Sequence, residues 1–291
     1  MKQSLSIIIP AHNEEKIIGQ TIEALKKELS KISELEYEII VINDASTDKT
    51  IDVLGKVEGI KIINHIQNKG YGASLKSGIK EAKFENLLFF DADGQHKPEY
   101  ISEFLKYADD FDMISGARVG YKGPIIRQPG KRALQWLANY LSQQKIPDLN
   151  CGLRIVKKKK ISEFTHLLCD GFSFSTTSTL LFLTEGLSVK YVPITINKRE
   201  GKSKVRPKHA FDTLIFILRV IILTSPLRIF LPISILLFAT GGILLVLDLT
   251  HKNISKSTIL TLISAILIFF FGLLADQISA IRKEVKSKNN Q

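Results

Sequence analysis

The sequence predicts an α/β protein built on a mostly parallel sheet, followed by an interfacial helix and a two-helix transmembrane hairpin. Three observations predict it. Residues 1–208 alternate short apolar runs with charged, helix-patterned stretches. Residues 211–278 are dominated by Ile, Leu, Phe and Val. Within that apolar part, 229–247 and 258–275 carry no charged residue.

Taken in order, strand-like runs fall at 5–9, 38–42, 60–64, 87–90, 113–115 and 152–156. Helical patterns fall between them, at 14–30, 71–82, 98–107 and 127–142. Short β-rich runs joined by helices of this length give a mostly parallel sheet covered on both faces. Ligands of such sheets bind outside the carboxyl ends of the strands, so the residues after each strand are the candidate site. The stretch 204–224 is apolar around much of a helix, interrupted by Asp212, Arg219 and Thr224, and Ser225-Pro226 should end it. Its unbroken apolar core is too short to span a bilayer. An interfacial helix lying under basic anchors is therefore expected, with an ordinary buried helix as the alternative. Residues 229–247 reach about 29 Å at about 1.5 Å per residue, close to the ~30 Å of a hydrocarbon core. Residues 258–275 are of similar length and follow a short polar connection. The expected division is 1–206 globular, 207–226 interfacial, 227–278 membrane hairpin and 279–291 basic tail.

The chain carries 40 Lys and Arg against 29 Asp and Glu, a formal net charge of +11. Much of the excess is local, at 157–160, 198–209 and 282–288. Nucleic-acid-binding proteins set such patches near aromatic stacking residues. Here two clusters flank the apolar part, which is the pattern of a membrane anchor, so a lipid bilayer rather than nucleic acid is the expected partner. The loop between the spans holds Lys252 and Lys256, whereas the tail holds Arg282, Lys283, Lys286 and Lys288. The heavier sides should face the cytoplasm. A multi-pass cell-membrane protein with its globular part and both termini inside is expected, in keeping with a start that runs directly into a strand. Cys151 and Cys169 have neither metal spacing nor a disulfide framework, and buried free thiols are expected.

The strongest local signal is Phe89-Phe90-Asp91-Ala92-Asp93-Gly94-Gln95-His96, an apolar strand running into two carboxylates. In an extended chain the side chains at i and i+2 point the same way. Two like charges at the mouth of a sheet are unfavourable unless a cation joins them. Mg²⁺ and similar hard ions take oxygen ligands, one or two carboxylates plus substrate phosphates, and Gln95 adds an amide oxygen. Polar loops also follow the first two strands, Pro10-Ala11-His12-Asn13-Glu14-Glu15 and Asn43-Asp44-Ala45-Ser46-Thr47-Asp48. Asn13 and Ser46 are ordinary N-cap residues, but capping does not explain carboxylate-bearing loops at three strand ends. Asn68-Lys69-Gly70-Tyr71-Gly72-Ala73 imitates a dinucleotide fingerprint, yet Leu75 stands where the third glycine belongs and the motif follows the third strand. Its glycines fit a tight turn and close backbone approach.

Together with Ser6-Ile7-Ile8-Ile9 before the first loop, these four segments resemble family-2 glycosyltransferases. Within that family they resemble the dolichyl-phosphate mannosyltransferase and polyprenyl-phosphate glucosyltransferase group. The resemblance runs from Leu5 to about Arg206, and the two-span tail extends it. It implies a GT-A-type nucleotide-sugar-binding domain, dependent on Mg²⁺ or Mn²⁺. It further implies inverting transfer of a sugar from a UDP- or GDP-linked donor to polyprenyl phosphate, undecaprenyl or dolichyl. Pro10, His12 and Glu14 match positions lining the nucleotide pocket, and Asp44 matches the acid that reads the base or ribose. Gly70 lies in the glycine segment that is counted with the substrate pocket. Asp91, Asp93 and Gln95 match the metal ligands. Arg118 resembles a phosphate-contacting arginine, and Arg127 and Arg132 sit where the family engages phosphate near the acceptor. Asp148 and Arg154 match another active-site segment. Arg199 and Lys202 match a basic loop that closes over donor and acceptor. Guanidinium offers a planar fork to phosphate oxygens, and Asp93, Arg118 and Arg199 are the residues to which the resemblance assigns catalysis. Related two-span proteins also point to a homo-oligomer.

Two departures matter. Asn43 replaces the first acid of the usual pair, so only Asp44 is carried over. The run Phe172-Ser173-Phe174-Ser175-Thr176-Thr177 lacks the carboxylate that many members acting on hydroxyl groups place there; Asp170 and Glu185 lie at some distance. A hydroxyl acceptor needs a general base, whereas a phosphate monoester, with a second pKa of about 6, is already ionised. The missing acid fits a lipid-phosphate acceptor. A processive polysaccharide synthase would carry a Gln-x-x-Arg-Trp element, which Gln135-Trp136 does not supply. A catalytically silent membrane scaffold would not need an intact Asp91, Asp93 and Gln95.

Overall fold

The computed structural model describes residues 3–120, 128–197 and 208–289. The chain forms two compact units, one of Met1–Asn139 with Gln144–Phe216, the other of Tyr140–Gln143 with Ile217–Gln291.

The first unit is built on β1 (Ser4–Ala11), β2 (Glu36–Asn43), β3 (Lys61–Asn64), β4 (Asn86–Phe89), β5 (Met113–Arg118), β6 (Arg154–Lys157) and β7 (Val189–Ile194). They lie in the order β3-β2-β1-β4-β6-β5-β7. β6 runs antiparallel to both its neighbours, and every other pair is parallel. The helices that precede residue 225 are α1 (Ile18–Leu29), α2 (Thr50–Leu54), α3 (Tyr71–Glu81), α4 (Tyr100–Leu105), α5 (Gln128–Ser142), α6 (Lys158–Ser162), α7 (Phe174–Thr184) and α8 (Lys208–Thr224), of which α5 and α8 each have residues in both units.

Alternation along the strands sends side chains to both faces. Ile7, Ile9, Ile39, Val41, Leu88 and Phe90 share one buried cluster with Ile18 and Ile22 of α1 and Phe104 of α4. On the opposite face Gly78 of α3 lies against Ile8 and Ile42, and Phe89 meets Phe174 of α7 edge-on with ring centroids 5.7 Å apart. Both faces are covered, which is why β1 reads as the unbroken run Ile7-Ile8-Ile9 rather than as an alternation.

The structure adds elements absent from the sequence expectation: α2, α6, α7 and β7. α7 reads Phe-Ser-Thr-Thr-Ser-Thr before its leucines and is buried through Leu183. A helix buried on all sides shows no amphipathic period. β7 is an edge strand containing Pro193, a position where a missing N–H is tolerated. α1 begins at Ile18 rather than near residue 14, because the carbonyl of Glu14 accepts N–H groups from Ile17 and Ile18 in a preceding turn.

α8 buries Ile217, Val220, Ile221 and Thr224 along one stripe and exposes Ile215, Arg219 and Ile222. The second unit is dominated by α9 (Leu227–Thr250) and α10 (Lys256–Asn289). Both are long and apolar enough to cross a membrane, with only 11% and 17% of their most apolar stretches buried. Asp248 closes the connection by accepting the Ser255 N–H at 2.7 Å and the Thr258 hydroxyl at 2.5 Å. α10 continues well past residue 275, so the start of the basic tail is helical.

Candidate active site

β1 leads outward to β2 and β3 on one side, while β4 pairs with β1 on the other. The chain therefore reverses direction at β1 and β4, and the crevice beyond their carboxyl ends is the topological switch point where such sheets bind ligands. The loops after β1, β2 and β4 all open there, and they carry the polar segments singled out in the sequence.

The first two loops are stitched together. Pro10, half-buried, lies opposite Ile42 one residue before the end of β1. His12 Nδ1 donates to the Asp44 carbonyl at 2.8 Å. Asn13, with φ 54°, donates its N–H to Ser46 Oγ at 3.0 Å and accepts the Thr47 N–H on Oδ1 at 2.7 Å. Glu14 donates its N–H to Thr50 Oγ1 at 2.9 Å. The capping reading of Asn13 and Ser46 is thus corrected: α1 has Ile17 at its cap with no side-chain bond, and both residues tie one loop to the other. Asn43 is structural too, donating to Asn64 Oδ1 and accepting the Ser46 N–H.

Asp44 is not poised to read a base or ribose with free oxygens. Its side chain is 5% exposed and bonds His65 Nδ1 at 2.7 Å through Oδ1. The N–H groups of Lys69 and Gly70 donate to Oδ1 and Oδ2, each at 2.8 Å, and His65 Nε2 reaches Ser77 Oγ at 2.8 Å. Asp44 thereby holds the glycine segment onto β2. Gly70 has φ 101°, and a side chain there would meet the Asp170 carbonyl at 2.6 Å, so its close approach is to this chain's own backbone.

Asp91, Asp93 and Gln95 lie together in the turn after β4, half-buried. The segment is a turn rather than an extended strand, so the alternation that would align both carboxylates does not apply. Tyr71 donates its hydroxyl to Asp91 Oδ1 at 2.9 Å. His96 Nε2 bonds Oδ2 at 3.1 Å, while its buried Nδ1 has no partner among the described residues. Gly152 places its bare Cα against the same carboxylate. Burial opposes ionisation of Asp91, yet the hydrogen bond and charge of His96, the Tyr71 hydroxyl and the nearby Arg118 hold its pKa below the ordinary value. Burial, and then the Asp91 charge, push the Tyr71 phenol well above its ordinary value, so it remains a donor. Asp93 Oδ1 accepts the Gln95 N–H at 3.2 Å. Asn197, three residues beyond β7, pins this turn through bonds to the carbonyls of Gly94 and Gln95.

This donor set fits a hard divalent ion. Among the described residues no three His, Cys, Asp or Glu cluster into an all-protein cage. Mg²⁺-type sites in nucleotide enzymes instead take one or two carboxylates and finish with phosphates and water. Each Asp91 oxygen accepts one hydrogen bond from protein and keeps a second lone pair.

Arg118 and Asp148 find each other. Arg118 Nε and one terminal nitrogen donate to the two Asp148 oxygens at 2.6 and 2.9 Å. Burial works against the Asp148 carboxylate, but the guanidinium holds its pKa below the ordinary range. Arg154 is a correction. It is 0% exposed, and its guanidinium donates to the carbonyls of Cys151 and Ser175 and to the hydroxyls of Ser178 and Thr179. It ties β6 to α7 and has no open face for a substrate. Arg132 is exposed on α5. Arg127, Arg199 and Lys202 lie outside the described residues. Both cysteines are free and buried, and burial pushes the Cys151 thiol up to about 11. Tyr71, His96, Gly152 and Asn197 are the site residues that sequence reasoning passed over. Tyr71 sat inside the glycine decoy and His96 next to Gln95, and neither position signals that it reaches Asp91.

A protein-family model described as Glycosyl transferase family 2 matches residues 6–164. The chain belongs to this family. A second model, GtrB C-terminal hairpin, matches residues 225–281, the stretch of α9 and most of α10. This family-2 chain is 34% identical over 204 residues to an uncharacterized protein of Methanocaldococcus jannaschii, covering 66% of this chain and 81% of that one. It is 25% identical to the undecaprenyl-phosphate 4-deoxy-4-formamido-L-arabinose transferase of Edwardsiella ictaluri, covering 98% and 92%. It is 27% identical to the dolichyl-phosphate beta-glucosyltransferase of Drosophila melanogaster, covering 70% and 69%. In fold it is similar to glucosyl-3-phosphoglycerate synthase of Mycobacterium tuberculosis, solved with Mn²⁺, UDP-glucose and phosphoglyceric acid. That match has a TM-score of 0.59 at 16% identity and covers 75% of this chain and 80% of that one. The fold is thus the GT-A-like α/β arrangement.

Proposed function

We propose that this glycosyltransferase moves a sugar from a nucleotide-sugar to a polyprenyl phosphate, giving a polyprenyl-phosphate-linked monosaccharide. One observation carries the reading: a carboxylate turn at the switch point of a family-2 domain occurs in the same chain as a long apolar helical hairpin of the GtrB type. The relatives named for transfer to undecaprenyl and dolichyl phosphate support the same acceptor class.

The acceptor phosphate attacks the anomeric carbon from the face opposite the nucleotide, a new C–O bond forming as the bond to the diphosphate breaks, with inversion. Asp91, Asp93 and Gln95 would hold Mg²⁺ or Mn²⁺. A bound divalent ion supplies stabilisation for charge on the departing diphosphate. Arg118, oriented by Asp148, presents a fixed guanidinium beside Asp91 and binds phosphate. His12, Glu14 and the Asn68–Gly72 loop, held by Asp44, shape the nucleotide side. No general base is required: Asp170 is committed to Lys76 at 2.8 Å, and Glu185 stands at the far end of α7. Arg127, Arg199 and Lys202 contribute further phosphate contacts, as does Arg132. Positioning accounts for much of the acceleration.

The membrane part divides as an interfacial helix at 207–226, spans within 227–278 and a cytoplasmic tail from 279, with the catalytic part also inside. α5 supports an interfacial setting as well, since Trp136 is 67% and Tyr140 47% exposed, one turn apart and following Arg132. Aromatic and basic residues in this combination favour headgroup level.

The test incubates purified protein with polyprenyl phosphate and a panel of UDP- and GDP-sugars, and reads the lipid fraction by mass spectrometry. A sugar-phosphate-lipid product is expected. Asp93→Ala should lose metal-dependent transfer while keeping its unfolding temperature; near-normal transfer by this variant in excess metal would remove the metal role.

A further inference from the structure

We propose that Tyr71 is a positioning residue for Asp91: its hydroxyl, steadied by the ring of Phe172, fixes the carboxylate with which the site grips a divalent ion. The inference rests on the metal reading of Asp91, Asp93 and Gln95.

A carboxylate at a strand end turns freely about its last bond, because that torsion is broad. Asp91 does not have this freedom. Tyr71 fixes Oδ1 from α3, His96 fixes Oδ2 from the turn itself, and Gly152 closes one side from the approach to β6. Of the two donors only Tyr71 comes from another element, so its bond also ties the β4 turn to α3.

Tyr71 is itself held from two directions. Its main chain follows Gly70, whose N–H is bound by Asp44. Its ring stacks on Phe172, with centroids 6.1 Å apart and planes 17° from parallel. Phe172 is 41% exposed, yet its segment is anchored on both sides. The Ala73 N–H donates to the Asp170 carbonyl at 3.0 Å, Lys76 pairs with the Asp170 carboxylate, and Ser173 Oγ meets Thr213 Oγ1 of α8 at 2.6 Å. A continuous set of contacts therefore runs from α8 through 170–173 and Tyr71 to Asp91. The family resemblance assigns no role to Tyr71, and the glycine segment around it reads as a loop motif.

Hydrogen-bond partners of metal ligands typically set affinity by about 10–100-fold. The experiment follows Mn²⁺ alone, by its paramagnetic resonance signal, binding to the full-length protein in detergent. Tyr71→Phe deletes one oxygen and keeps the ring. It should weaken Mn²⁺ binding by about 10-fold or more at a temperature where the metal-free variant is still fully folded, a loss that a purely structural role would not produce. Phe172→Ala should weaken binding in the same direction by less, and it carries the test if Tyr71→Phe does not fold. Wild-type binding with both variants unchanged overturns this inference and leaves the metal site standing. A wild-type protein that takes up no Mn²⁺ overturns the metal reading, and the inference with it.

Discussion

The paired charges of Arg118 and Asp148 show how single residues are tuned here. Arg118 is 16% and Asp148 6% exposed at the side chain, so each would be costly to bury without the other. Removing one partner of a buried pair leaves an uncompensated charge, at a cost of about 3 kcal/mol or more. Asp148→Asn should therefore lower stability by about 3 kcal/mol at neutral pH. The Asp148 carboxyl titrates below its ordinary value of 3.8 in the folded protein. Its stabilisation is fully present above that value and is lost as pH falls through the lower, folded pKa. Thermal unfolding between neutral pH and about pH 3 should show a shallower acid decline in the variant than in the wild type; equal declines would count against the pair. At this scale the residue types of the site were readable from sequence, their partners less so. The Asp91-Ala-Asp93 motif named its own acids, but Tyr71 and Gly152 reach Asp91 from 20 and 61 residues away, and Arg154, in a segment that resembles part of the active site, turns its donors inside the protein.

Elements were legible in proportion to their local pattern. β1, β2 and α3 carry apolar runs or periods strong enough to locate them. α7 and β7 do not, since one is buried all round behind hydroxyls and the other is a mixed edge strand. Nor could local pattern reveal that β6 is antiparallel, because direction depends on the route of the chain between strands. In the hairpin, α9 and α10 approach closely where side chains are missing: a Cβ on Gly241 would lie 2.6 Å from Leu262, and one on Gly272 would lie 2.7 Å from Phe230. Small residues permit such approach between helices in lipid. Gly241→Leu should push the pair apart and cost about 1–3 kcal/mol, measured as a lower helix-melting temperature in detergent by circular dichroism. An unchanged melt would mean that the close approach contributes nothing.

For the whole molecule, the distribution of basic residues makes a directional prediction. Asn253→Cys, in the exposed turn between α9 and α10, should react with a membrane-impermeant maleimide added outside intact cells. Glu284→Cys, exposed near the end of α10, should react only after lysis. Cys151 and Cys169 are buried and should add little background. The reverse labelling would place the catalytic part outside. Sequence alone determined that a mostly parallel α/β domain precedes two apolar helices, and which acids mark the sheet edge. Those properties are written in local periodicity and charge, which need only neighbouring residues. Tertiary structure alone decided that Asp44 and Arg154 are spent inside the fold, that Arg118 is locked by Asp148, and that Tyr71 and Gly152 frame Asp91. These are contacts between distant segments, and only the folded path of the chain fixes which of the competing partners each polar group finds.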